Sequence, residues 1–145
     1  MKTILSILIT CASVCLANAG NVALATVESN GDSNAIGDYG NAKGKYQFWR
    51  PAWEDTTKYR KALGLKTYPY SQASNRAISD EYATSRMMFL TDQLKLRLRR
   101  TPTSAELYAA WNLGLTGFAR RHYQVGQCPA ITQRAAAQFS LLAQN

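Results

Sequence analysis

The stretch "ATVESNGDSNAIGDYGNAKGKYQFW", residues 25–49, carries four glycines, two aspartates and one glutamate, and closes on aromatics. Ahead of it, residues 21–29 contain neither glycine nor proline, and Leu24 and Glu28 stand four apart on one face of a helix. Asn30-Gly31 is a helix stop, because these two residues tolerate the left-handed backbone that turns a chain out of a helix. Glu28 is therefore expected in the last helical turn. Gly31, Gly37, Gly40 and Gly44 then predict tight turns or a short irregular hairpin.

Downstream the pattern is helical. "RPAWEDTTKYRKALG", residues 50–64, predicts a second helix that follows Pro51 and ends at Gly64. After the connection "PYSQASN", Ala83, Met87, Leu90, Leu94 and Leu98 recur at helical steps, with Arg86, Lys95, Arg97 and Arg99 read as a solvated face or an anion-binding wall. Thr103 and Glu106 match a capping box ahead of "ELYAAWNLG". Pro129 opens a terminal helix through "AITQRAAAQFSLLA". The expected fold is mainly α, with a short irregular glycine-rich or small β segment after the first helix.

The opening "MKTILSILITCASVCLANA" sets Lys2 before an apolar run and ends on Ala17-Asn18-Ala19, the pattern of a cleavable signal peptide, residues 1–19. The run is about 13 residues, short of the roughly 20 that span a bilayer, so no stable membrane anchor is expected after cleavage. Residues 20–145 then form one domain, expected to be secreted or periplasmic and monomeric. Its single cysteine, Cys128, is expected as a buried hydrophobe. Seventeen basic against nine acidic residues give a net charge of +8. For an exported protein this points to an acidic envelope polymer or a membrane surface, and away from nucleic acid; a basic surface kept for solubility is the alternative.

No His, Cys or acidic cluster has metal-ligand spacing, the lone His122 has no marked partner serine, and no phosphate-binding loop is present, so no metal or cofactor is expected. Glu28 remains. The negative end of the helix dipole and burial beside Leu24, Val27 and the aromatics both push its pKa upward. A carboxylic acid protonated near neutrality suits proton donation to a leaving oxygen.

Two blocks carry a resemblance. "ESNGDSNAIGDYGNAKGKYQ" resembles the Glu-Ser, Gly-x-x-Gln pattern of the lysozyme-like soluble lytic transglycosylases, and "AAWNLGLTG" resembles their later Ala-Tyr-Asn-Ala-Gly segment. The resemblance spans roughly residues 22 to 120. It implies a lysozyme-like helical domain acting on peptidoglycan glycan strands, with Glu28 as catalytic acid and then base. Ser29 would orient the local backbone, and Gly44, Tyr46 and Gln47 would match the element whose glutamine lines the sugar cleft. Trp111 and Asn112 would match the Tyr-Asn pair, with tryptophan in place of the tyrosine whose hydroxyl reaches toward the acid. Tyr46 stands for the usual methionine and would offer a flat face to a sugar ring.

Two further readings stay open. Hydrolysis of the muramidase type needs a second carboxylate; Asp32, Asp38, Glu54 and Asp55 are the candidates, and Asp38 is the best placed, although "GDYG" is also an ordinary turn. A non-catalytic cationic wall-binding or antimicrobial protein would use Arg97, Arg99 and Arg100 instead. Tyr39, Trp49 and Trp53 are candidate sugar-stacking faces, the two tryptophans equally candidate core.

Overall fold

The computed structural model describes residues 20–144; the expected signal peptide lies outside the described residues. The described residues are mainly α, with five helices and a small three-stranded antiparallel sheet after the first. The described part of helix α1 covers residues 20–29. Strands β1 (Ile36–Gly37), β2 (Ala42–Lys43) and β3 (Phe48–Trp49) follow, then α2 (Arg50–Ala62), α3 (Arg76–Leu98), α4 (Ser104–Ala119) and α5 (Ala130–Leu142).

Local signals set the boundaries. Asn30 and Gly31 both take positive φ, 54° and 81°, and their N–H groups donate back to the carbonyls of Thr26 and Ala25. Pro51 occupies the first turn of α2, where its missing N–H costs no helical bond. The capping box at α4 forms as expected: the Thr103 hydroxyl accepts from the Glu106 N–H at 3.2 Å, and the Glu106 carboxylate accepts from the Thr103 N–H at 2.8 Å. Arg100 adds an ion pair to Glu106 at 2.6 Å. Burial of the carboxylate is offset by Arg100 and Thr103, and Arg100 is the main reason its pKa is held below the usual range.

The sheet is short because its glycines interrupt it. Ile36 pairs with Lys43 and Lys43 with Phe48; a tight turn over Asp38–Gly40, in which Tyr39 has φ 56°, joins β1 to β2, and a second turn over residues 44–47 joins β2 to β3. Gly44 can only be glycine: at φ +73° a Cβ would stand 2.2 Å from the Ala73 carbonyl oxygen.

Two adjoining clusters form the core. One gathers Leu24, Tyr46, Phe48, Trp53, Tyr82, Tyr108 and Phe139 from the sheet and all five helices; the other gathers Leu90, Leu94, Ala109, Ala110, Phe118 and Cys128. Each fully buried leucine contributes about 2 kcal/mol. Trp53 stacks on Tyr82 at 3.7 Å and its indole N–H donates to the Tyr68 carbonyl, which places Trp53 in the core and not on a sugar-binding face. Cys128 is buried, as expected. Arg86, one candidate for a solvated face, is instead 6 % exposed. α3 is longer than its apolar pattern suggests, and Arg86 falls on the face that meets α2.

Candidate active site

Five segments meet around a groove of about 680 Å³: the end of α1, the sheet, the first half of α2 with Pro51, Ala52 and Asp55, one face of α3 and the second half of α4. Glu28 lines it from the last turn of α1. Its Oε1 accepts a 2.8 Å hydrogen bond from the hydroxyl of Tyr108 on α4, a residue 3 % exposed and set behind the carboxyl. Burial is the strongest influence on Glu28 and raises its pKa; the Tyr108 bond opposes this, and the nearby Asp38 charge adds to it. The outcome is about 7, against 4.5 for an ordinary glutamate. Burial and the adjacent Glu28 raise the Tyr108 phenol as well, so it remains a donor.

The sheet is pinned to this helix end. Ser29 Oγ donates to the Lys45 carbonyl at 2.8 Å, so Ser29 orients backbone and does not line the groove. Asp80 on α3 anchors the same hairpin from the other side, accepting from the Tyr46 hydroxyl at 2.5 Å and pairing with Lys45 Nζ at 2.6 Å.

This corrects two expectations. Tyr46 is 1 % exposed, edge-on to Phe48 and Trp111, and offers no face to a ligand; its hydroxyl reaches a carboxylate on α3, which draws the ring inward. Gly44 is packed on Ala73 and serves the turn, not the groove.

Gln47 does line the groove. It has φ 48°, and its Nε2 donates to the Gly44 carbonyl at 2.9 Å and to that of Ala35 at 3.3 Å, which lays the side chain across the hairpin. Gly37 permits this, since a Cβ there would stand 2.1 Å from Gln47 Oε1. Asp38 lines the groove too, its Oδ2 accepting from the Trp49 indole N–H at 3.0 Å. Trp49 is 46 % exposed and lies along the same wall, whereas Tyr39 points away into solvent.

On α4, Trp111 and Asn112 line the groove. Trp111 packs against Phe48 at 5.0 Å, and Asn112 Oδ1 accepts from Thr132 of α5 at 2.8 Å. Gly114, at φ 70° and ψ 165°, interrupts the helix, and residues 113–116 line the groove beyond it.

Sequence reasoning missed Tyr108. Its hydroxyl reaches Glu28, a contact that the tryptophan at position 111 has no hydroxyl to make. The signal was its spacing: 108 and 111 lie three apart, on one helix face.

No family model, curated protein or solved structure matches this chain.

Proposed function

We propose that the protein is a lytic transglycosylase that cleaves the β-1,4 bond between N-acetylmuramic acid and N-acetylglucosamine in peptidoglycan. The observation that carries this reading is Glu28: a carboxyl at the wall of an open groove, held protonated near neutral pH by burial and oriented by Tyr108. The neutral acid donates its proton to the bridging oxygen as the bond to the muramyl C1 breaks. The carboxylate so formed takes the proton of the muramyl C6 hydroxyl, whose oxygen closes on C1 to give a 1,6-anhydro end. Glu28 returns to its acid form, and neither water nor cofactor is consumed. Gln47, Asn112 and Trp49 supply polar contacts and a stacking face for the sugars. A net charge of +8 favours an acidic polymer, and export directed by residues 1–19 would bring the protein to its substrate.

Asp38 supports hydrolysis as the second reading. It lines the same groove as Glu28 and acts on it electrostatically, which makes it a second carboxylate within the site.

Mass spectrometry of the soluble products from purified peptidoglycan separates the two. Anhydro-muropeptides that vanish with Glu28→Gln support transglycosylation, and reducing ends that vanish with it support hydrolysis. Absence of both from a folded protein refutes an enzymatic role.

A further inference from the structure

Among the described residues two arginines are buried, and the fold treats them oppositely. Arg60 is 4 % exposed and fully engaged. Its Nε donates to the Lys66 carbonyl, its Nη1 to the Glu81 carbonyl and Ser85 Oγ, and its Nη2 to the Glu81 carboxylate at 2.6 Å. Arg86 is 6 % exposed, and its Nη1 lies inside with no hydrogen-bond partner among the described residues. Its guanidinium sits 5.2 Å over the Phe89 ring. Asp55 is near enough to act on it electrostatically, yet the Asp55 carboxylate is bonded to Lys58 at 3.2 Å.

Arg86 nonetheless borders the groove. Arg86, Phe89, Gln93 and Arg97 recur along α3 at steps of three, four and four, and all four line the groove that Glu28 lines. Arg97 is occupied with Gln93, to whose Oε1 it donates at 2.6 Å. A cation withdrawn from water with incomplete pairing is unfavourable. Here Arg86 shares the Asp55 carboxylate with Lys58 at the wall of an open groove, where an anion from outside can complete its pairing. The planar fork of a guanidinium matches a carboxylate in geometry.

We propose that Arg86 centres a carboxylate-binding subsite on the α3 wall, which takes an acidic substituent of the glycan strand. This rests on the glycan-cleaving reading above. Peptidoglycan offers such a carboxylate from two sources: the free lactyl group of a muramyl residue stripped of peptide, or the stem peptide itself.

The test is calorimetric titration of the full chain carrying Glu28→Gln, which prevents turnover. Three oligosaccharides of equal length are compared: an N-acetylglucosamine oligomer, an alternating N-acetylglucosamine and N-acetylmuramic acid oligomer without peptide, and the latter with stem peptides. An acidic oligomer is expected to bind about tenfold tighter than the neutral one, the gain of a charge-assisted pair. Which acidic oligomer gains identifies the source. Adding Arg86→Gln is expected to remove that preference and leave the neutral oligomer unaffected. If Arg86→Gln does not fold, Arg86→Lys, which keeps the charge and loses the fork, is expected to weaken only the acidic oligomer; an unchanged preference in the variant that folds overturns the subsite. Equal binding of all three oligosaccharides also overturns it, and leaves the glycan reading standing. Binding of none overturns both.

Discussion

Tyr108 reaches across eighty residues of chain to donate a 2.8 Å hydrogen bond to Glu28. That bond favours the ionised carboxylate, burial favours the neutral acid, and burial wins, leaving the group near pH 7. Since the proposed reaction begins with proton donation, kcat/KM is expected to hold at acidic pH and to fall as pH rises through about 7. A pH–rate profile checks this, and a limb near pH 4.5 would mean that the working carboxyl is not buried.

Tyr108→Phe keeps the ring in the core and deletes the donor. Loss of the one influence that lowers the Glu28 pKa is expected to move the descending limb to higher pH. The acid-side rate is expected to drop about tenfold, because the carboxyl is no longer oriented. A tyrosine that served packing alone would leave the limb where it was.

Glu28 also shapes stability. Its pKa is raised on folding, so the folded state binds the proton more tightly than the unfolded chain does. Its contribution is fully present below about pH 4.5 and is lost as pH rises through about 7. Glu28→Gln removes the ionisation. The variant is expected to be more stable than its parent at pH 8 by on the order of 2 kcal/mol, and about equal at pH 4. Urea unfolding at the two pH values measures the difference, and a variant less stable at pH 8 would contradict the burial argument.

Asp38 separates the two chemical readings. With transglycosylation, Asp38→Asn is expected to change the rate by less than about tenfold and to leave the anhydro product in place. With hydrolysis, the same change is expected to remove most of the activity. Quantifying both product types in one digest decides the matter.

Gly44 and Gly37 are predicted to fail differently on substitution by alanine. At Gly44 the new Cβ meets a backbone carbonyl at positive φ, so a loss of about 3 kcal/mol or more is expected by thermal unfolding. At Gly37 the obstacle is the movable end of Gln47, so stability is expected to change by about 1 kcal/mol while Gln47 leaves its place on the groove and activity falls. Equal stability losses would show that the hairpin yields as one unit.

What the sequence by itself determined lies within a few residues of its own signal. The stop at Asn30-Gly31, the start at Pro51, the capping box at Thr103 and the glycine-broken hairpin are contests between neighbouring backbone groups, which a linear reading resolves. The position of Glu28 in a last turn is of the same kind, whereas the burial that raises its pKa comes from packing across the chain. Contacts across the chain were decided by the tertiary structure alone. Asp80 drew Tyr46 inward from 34 residues away, Arg86 was buried where a solvated face was expected, and Tyr108 supplied the hydroxyl beside Glu28 that Trp111 lacks. A helix pattern specifies which residues share a face. Which neighbour meets that face depends on how five helices and a small sheet fill one core together, and no local stretch encodes that.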